Sequence, residues 1–435
     1  MNAFTEVADR PVVGDRIDDI VARLHLLYPQ LIDLSLDRLR RLLAKLGHPE
    51  CQLPPVIHVA GTNGKGSTCA FLRAMAEAAG LSVHVYTSPH LVRFNERIRI
   101  AGDLVSDEVL ADALETLERV NDGAPITVFE MITATALHLF AETPADLCVV
   151  EVGLGGRADA TNVIDRPAAC AITSISIDHR EFLGDTLAAI AGEKAGIMKP
   201  GVPVVVGAQT EAALAVLSEA ADRAGAPLLL RDRDWHLRPA WRGFRYTDRN
   251  SALVLPTPSL PGAHQVDNAG IAVAALRASG FGVSDAAIAT GIASATWPAR
   301  LQRLDGRLAA FVPPGWELWL DGGHNPGAGA ALAEHLSGWT DRPTHLVVGM
   351  KRAKDTAAFL RPLLARAASV WAVAEPGQHL ALSVESIVAA SGGVARPGPR
   401  VVDALGGIVG EDPGPARVLI CGSLYLAGEV LKLDA

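Results

Sequence analysis

The sequence predicts an α/β protein in two parts: an N-terminal P-loop domain on a doubly wound, mostly parallel sheet, and a smaller Rossmann-like α/β domain behind it. Three observations carry this. Short apolar runs alternate with helix-period patterns along most of the chain, as in parallel strands joined by crossover helices. The run Val56-Ile57-His58-Val59-Ala60 passes through a glycine-rich turn into an amphipathic stretch, Cys69 to Ala79. The alternation pauses at Thr296-Trp297-Pro298-Ala299-Arg300 and then starts again.

In chain order, Leu39, Leu42, Leu43 and Leu46 follow the i, i+3, i+4, i+7 spacing of a packing helix, with Gly47 as its stop. Strand 55–60, helix 67–79, strand 82–87, helices 106–121 and 127–141, strands 146–152 and 168–175, helix 185–195, strand 202–207 and helix 210–224 follow. Residues 231–262, rich in Arg, Trp, Pro and Asp and without helical period, read as irregular strands and loops, an inserted flap. Helical patterns return at 265–278 and 284–294. Pro298 biases its predecessor away from the helical region, which places a boundary there and gives domains 1–297 and 298–435. Beyond it come strand 316–320, helix 326–337, strand 344–349, helix 355–366, strand 369–374, helix 383–391, strand 417–421 and helix 424–432.

A chain of 435 residues is too long for one ordinary core. Its formal net charge of −9 argues against general nucleic-acid or membrane-surface binding, which needs clustered basic residues. Cys51, Cys69, Cys148, Cys170 and Cys421 are scattered without a CxxC pair and read as reduced residues of a cytoplasmic protein. Met1 to Asp19 lacks an apolar signal core, and no stretch reaches the apolar length of a membrane span.

The loop Gly61-Thr62-Asn63-Gly64-Lys65-Gly66-Ser67 with Thr68 has the parts of a polyphosphate cradle. Glycines let the backbone turn N–H groups inward, the helix N-terminus adds partial positive charge, and Lys65 adds a full one. Gly66 separates the lysine from the hydroxyl residues, unlike the commonest P-loop. Strand 146–152 delivers Glu151, a carboxylate that burial makes costly unless a cation compensates it. It is a candidate Mg²⁺ ligand, or a partner of Arg157 alone. Strand 168–175 leads to Asp178-His179, either a second cation site or a satisfied core histidine. Ser88 in Thr87-Ser88-Pro89-His90-Leu91 offers another oxygen, unless this is an ordinary surface loop. Lys194 sits in an apolar helix end where desolvation lowers an amine's pKa; a solvated or ion-paired lysine is the alternative. In the second domain, Asp321-Gly322-Gly323-His324-Asn325-Pro326 follows a strand. Cap chemistry explains Asn325 and Pro326 but not Asp321 or His324. Cys421-Gly422-Ser423 is another strand-end loop, or simply a tight turn.

Taken together these motifs resemble the Mur-ligase superfamily, and within it the dihydrofolate synthase/folylpolyglutamate synthase family. The resemblance rests on residues 61–67, Ser88-Pro89-His90-Leu91, Glu151 through Arg157 with Asp159-Ala160-Thr161-Asn162, Asp178-His179, Glu193 through Ile197, Asp321 through Pro326, and Cys421-Gly422-Ser423. It implies ATP contacts from Asn268, Arg300 and Asp321 besides the loop. It implies two Mg²⁺ ions held by Ser67, Ser88, Glu151 and His179, and a carbamylated Lys194. Lys65, Lys194 and His179 would be the catalytic set. Thr127, Phe129 and Glu130 resemble the pterin-pocket segment, as does Ile32-Asp33-Leu34-Ser35-Leu36. Asp33, Gly155, Gly156, Arg157, His324 and Ser423 complete the implied substrate contacts. Ser35 stands where the family commonly has glycine, and Gly323 where alanine is frequent. The implied partners are ATP, L-glutamate and dihydropteroate or reduced folates, acting on a monomer. A peptidoglycan-precursor ligase would need a further domain ahead of the loop. A P-loop switch or ATPase would leave Asp321, His324 and Lys194 without a role.

Overall fold

The computed structural model describes residues 15–28, 33–412 and 414–435; Ile32, at the head of the Asp33 segment, lies outside them. Seventeen strands are present among these residues: β1 Val56–Ala60, β2 Val83–Tyr86, β3 Ile98–Ile100, β4 Asp103–Leu104, β5 Leu147–Glu151, β6 Ala169–Ile172, β7 Val204–Val206, β8 Leu228–Leu230, β9 Trp235–Ala240, β10 Gly243–Asp248, β11 Ala252–Pro256, β12 Gln302–Leu304, β13 Glu317–Leu320, β14 Thr344–Val348, β15 Ser369–Ala372, β16 Arg396–Pro397 and β17 Arg417–Cys421.

The first sheet has the order β4-β3-β2-β5-β1-β6-β7-β8. β2 through β8 in that order pair in parallel, and β3 and β4 add an antiparallel edge. All five residues of β1 and of β5 are buried, because helices cover both faces of a parallel sheet. One face packs Ile57, Val59, Phe71 and Met75 against helix Ala263–Ala278. The other packs Tyr86, Cys148 and Val150 against helices Asp107–Asn121 and Val128–Glu142. The chain leaves β1 towards β2 and later leaves β5 towards β6 on the opposite side. The crevice beyond the carboxyl ends of β1 and β5 is therefore the switch point where such sheets collect ligands. Helix Asp37–Lys45 buries Leu39, Leu42 and Leu43, and Gly47 stops it at φ +77°.

Residues 231–262 are more regular than their composition suggests. β9, β10 and β11 form an antiparallel meander whose inward residues alternate: Trp235 and Leu237, Phe244 and Tyr246, Leu253 and Leu255. Each such side chain contributes roughly 1.5–3 kcal/mol on burial, so this is a packed element of the core beside helix Ala263–Ala278, not a loose flap. Helices Asp15–Leu27 and Val401–Glu411 also went unforeseen.

The second sheet, β12-β13-β17-β14-β15-β16, is parallel except at β12. Leu318, Val347, Val418 and Ile420 fill one side and Leu346, Val348, Phe359 and Leu419 the other. Trp297 packs with the first set of core residues and Ala299 with the second. Four cysteines are buried and free; Cys51 is free at the surface. No helix among the described residues is long and apolar enough to cross a membrane.

Candidate active site

Beyond β1 the chain turns through the glycine loop into helix Lys65–Ala78. Gly64 sits at φ +88°, and a Cβ there would lie 2.2 Å from Asn268 Oδ1. At Gly61 a Cβ would come within 1.8 Å of Thr173 Oγ1. Both positions therefore need glycine, the first for conformation and both for close approach. Thr62 and Asn63 donate backbone N–H bonds to Ser174 O, and the Thr62 hydroxyl donates to Ser176 O at 3.1 Å. These bonds fasten the loop to the segment after β6.

Lys65 Nζ lies 3.9 Å from Glu151 Oε1 and donates to Thr62 O at 3.3 Å. Burial pushes the Glu151 carboxyl up to about 7, opposed by Lys65 and Arg300. Arg157 does not hold Glu151; its guanidinium pairs instead with Glu193 at 3.2 Å. The hydroxyls of Ser67 and Thr68 are buried without a hydrogen-bond partner. An unpaired buried hydroxyl costs about 1–3 kcal/mol, and the Ser67 hydroxyl, lining the same cavity as Glu151, fits a cation. Among the described residues no three His, Cys, Asp or Glu side chains converge on a metal position. That leaves Ser67, Glu151, water and phosphate oxygens as donors, a set suited to Mg²⁺.

Lys194 is buried at the end of helix Leu187–Lys194, and its Nζ donates to Gly61 O at 2.9 Å. Burial, then Lys65, pulls its amine down to about 7. A buried amine that is substantially neutral near pH 7 is a nucleophile.

Asp178 and His179, beyond β6, meet the second domain. Asp178 accepts from Lys354 Nζ and from Asn325 Nδ2 at 3.1 Å, with His324 Nε2 at 3.4 Å. Burial alone would raise the Asp178 carboxyl, but His324, Lys354 and His179 hold it far below the usual range. His179 falls to about 3 through burial and Lys354, whose Nζ lies 3.4 Å from its Nε2. Asn325 caps helix Pro326–Leu336 as its sequence indicates, yet also exchanges two hydrogen bonds with Asn63, at 2.9 and 3.1 Å. The cap residue thus ties the helix of one domain to the loop of the other. Asp321 turns its carboxylate onto the N–H groups of Leu301 and Gly323.

These groups surround one cavity of about 800 Å³. Gly61 through Ser67, Ser88, Glu151, His179, Lys194, Asn268, Arg300, Asp321, His324 and Ser423 line it, and so do Asp33, Thr127, Phe129, Glu130 and Gly155. Thr68, Gly156 and Arg157 do not. A Cβ at Gly156 would meet Glu193 O at 2.7 Å, so Gly156 and Arg157 position the Lys194 helix end. At the far side, Thr127 and Glu130 form a capping box on helix Val128–Glu142, and the tip of the Phe129 ring abuts Gly153, where a Cβ would lie 2.2 Å from Phe129 Cζ. Arg38 bridges Glu130 and Asp33, each at 3.0 Å. The cavity thus joins the glycine-loop end, with Lys65, to an aromatic, hydrogen-bonding end.

Arg38, Lys351, Lys354 and Arg97 also line or brace the cavity. No role for any of them follows from the linear pattern: Arg97 stands in the charged stretch Arg93, Glu96, Arg97 and Arg99 after Ser88, and Lys351 and Lys354 in a basic turn after β14.

A family model described as Mur ligase middle domain matches residues 59–276. The chain is 34% identical over 425 residues to an Escherichia coli dihydrofolate synthase/folylpolyglutamate synthase, covering 97% of this chain and 96% of that one. It spans about half, 48%, of a longer Halobacterium salinarum relative, a probable bifunctional folylpolyglutamate synthase/dihydropteroate synthase. The E. coli FolC structure in complex with DHPP and ADP superposes with a TM-score of 0.88 at 33% identity, covering 98% of this chain and 99% of that one. A bifunctional folylpolyglutamate synthase/dihydrofolate synthase with Mn, AMPPNP and L-glutamate bound gives 0.83 at 34% identity, with 95% and 97% covered. By fold, motif order and near-complete coverage, this chain belongs to the dihydrofolate synthase/folylpolyglutamate synthase family of Mur-type ligases.

Proposed function

We propose that the protein is an ATP-dependent ligase that joins L-glutamate to dihydropteroate, to the glutamyl tail of reduced folates, or to both. The observation that carries this reading is the single cavity running from Lys65, Ser67 and Glu151 to Phe129, Thr127 and Glu130, with His324 and Ser423 of the second domain on its wall. The acceptor carboxylate attacks the γ-phosphate of ATP, forming an acyl phosphate and releasing ADP. The glutamate amine then attacks the acyl carbon, and phosphate leaves. Two anions must meet for the first step, so positive charge has to be concentrated where the phosphoryl group passes. Lys65 and the loop N–H groups supply it. A Mg²⁺ held by Ser67 and Glu151 would add Lewis-acid stabilisation of the phosphate oxygens.

The second ion, at His179 with Ser88, requires Lys354 to release that imidazole. Carbamylation of Lys194 would turn its amine into an anionic ligand on the same side. Residues 1–297 and 298–435 act as the two domains, and closure between them excludes water from the acyl phosphate. The flat aromatic pocket at Phe129 suits a pterin. The protein is taken to act as a cytoplasmic monomer. The deciding assay offers purified protein ATP, Mg²⁺ and labelled glutamate with dihydropteroate or tetrahydrofolate. Acceptor-dependent labelling with equimolar ADP supports the reading; ADP release that ignores glutamate refutes it.

A further inference from the structure

The meander of β9, β10 and β11 is buried on one face only. Its inward side chains pack into the core beside helix Ala263–Ala278, which makes the three strands a supported platform. In the middle of the outward face stand Arg238 on β9, Arg245 on β10 and Val254 on β11, set side by side by the strand register. Val254 is 68% exposed. At the tip, the turn between β9 and β10 carries Trp241, 86% exposed, with the Arg242 guanidinium 5.6 Å from the centre of its ring. None of these five residues lines the cavity.

Three features of this face work against the stability of the fold. Like charges directly opposite one another on antiparallel strands are destabilising, yet Arg245 faces Arg238. Arg238 has only Asp232, at 3.6 Å, a carboxylate that also serves Arg231 and His236. Arg242 and Arg245 have no carboxylate partner among the described residues. Arg242 holds φ +59°, a left-handed conformation uncommon outside glycine, and it does so beside an indole left in water. Packing explains none of the three; a bound partner explains all of them.

The chemistry of the face selects the occupant. Arginine and tryptophan are the side chains that concentrate binding energy in protein interfaces, and residues 231–262 contain no lysine. A guanidinium fork matches the planar, bidentate carboxylate. An isologous contact with a second copy would set arginines against arginines. An extended polyanion, whether bilayer or nucleic acid, would reach past this face to the rest of a chain whose formal net charge is −9. A short acidic segment meets only the arginines.

We propose that Arg238, Arg242 and Arg245, with Trp241 and Val254, dock an acidic segment of another protein, its carboxylates on the guanidinium groups and an apolar side chain against the indole. This interaction is separate from the cavity and stands independently of the ligase reading.

The test uses the full-length protein and a fluorescently labelled synthetic peptide in which pairs of Glu flank single Leu residues, followed by anisotropy. A control peptide carries Gln in place of every Glu. Wild type should bind the first and not the second, with an affinity that falls as salt is added. Trp241→Ala and Arg245→Glu should each weaken binding roughly tenfold or more, while acceptor-dependent ADP release stays within about twofold of wild type. Arg245→Glu also separates docking from folding. Opposite Arg238, the introduced carboxylate should leave the urea midpoint at or above that of wild type, whereas a structural role for Arg245 would lower the midpoint and spare the peptide. The proposal is overturned if the Glu peptide does not bind, if the Gln peptide binds equally well, or if binding survives both substitutions. Binding of phosphatidylglycerol vesicles or single-stranded RNA in preference to the peptide, lost in the same variants, also overturns it, because the occupant would then be a lipid surface or a nucleic acid.

Discussion

Replacing Lys354 by methionine removes the cation that reaches across the domains to Asp178. The two side chains are 11% and 8% exposed, so the pair is shielded from water and its loss is not screened away. Breaking a buried ion pair by deleting one partner costs about 3–5 kcal/mol. Here Asn325 at 3.1 Å and His324 at 3.4 Å remain on the carboxylate, which places the cost near the lower end, about 3 kcal/mol. Asp178→Asn should cost a similar amount, since Lys354 then faces only His179. Because both variants delete one interaction, the double variant should cost less than their sum by at least about 1 kcal/mol. The assay is urea unfolding at pH 7 of wild type, both single variants and the double, with the radius of gyration by solution scattering. Asp178 has a depressed folded-state pKa, so its contribution is complete above its ordinary carboxylate value and disappears as the pH falls through the lower folded value. Costs that add to within about 0.5 kcal/mol, with no expansion of the molecule, would refute a cross-domain latch.

Gly64→Ala should lower nucleotide affinity roughly 5- to 150-fold, the equivalent of about 1–3 kcal/mol of strain, because its Cβ would lie 2.2 Å from Asn268 Oδ1 at φ +88°; isothermal titration with AMPPNP reads this, and unchanged affinity would contradict the loop geometry. His58 is fully buried, with Nε2 2.8 Å from Thr161 Oγ1, and burial takes it down to about 3. The unfolded chain therefore binds the extra proton between its ordinary value and about 3, and stability falls as the pH drops through that window. His58→Phe should flatten this acid limb of the urea-midpoint profile, and an unchanged slope would count against the burial argument. Lys194→Arg should lose at least about tenfold in turnover, and added acetate should partly rescue Lys194→Ala. Wild-type activity should also fall in CO₂-depleted buffer; insensitivity to both treatments would exclude a carbamate.

The parts of the fold legible in advance are those where one local rule decides. Five buried residues, four of them apolar, followed by three glycines and a lysine admit few conformations, so β1, the loop and helix Lys65–Ala78 were readable. The meander was harder because its alternation is short and is interrupted by Pro239 and Gly243; only the inward pairs, once aligned, show the period of two. Helix Val401–Glu411 was hidden by Gly406 and Gly407, weak helix formers that tertiary packing of Val401, Leu405 and Ile408 overrides. In the site, residues that end strands stood out, while Lys354 and Arg97 did not. Lys354 acquires meaning from Asp178, 176 residues away, and Arg97 from the cavity it lines together with residues of the second domain. Neither signal exists in a linear pattern. Asn325 shows the converse: its cap role was legible, and its bonds to Asn63 were not.

The central claim is that the lysine-bearing loop brings carboxylate and triphosphate together. Glutamate- and acceptor-dependent ADP release by Lys65→Ala, measured at saturating ATP and Mg²⁺, tests it most directly. The account predicts a fall of roughly 100-fold or more in kcat, with the unfolding midpoint close to wild type; turnover within about threefold of wild type would contradict it.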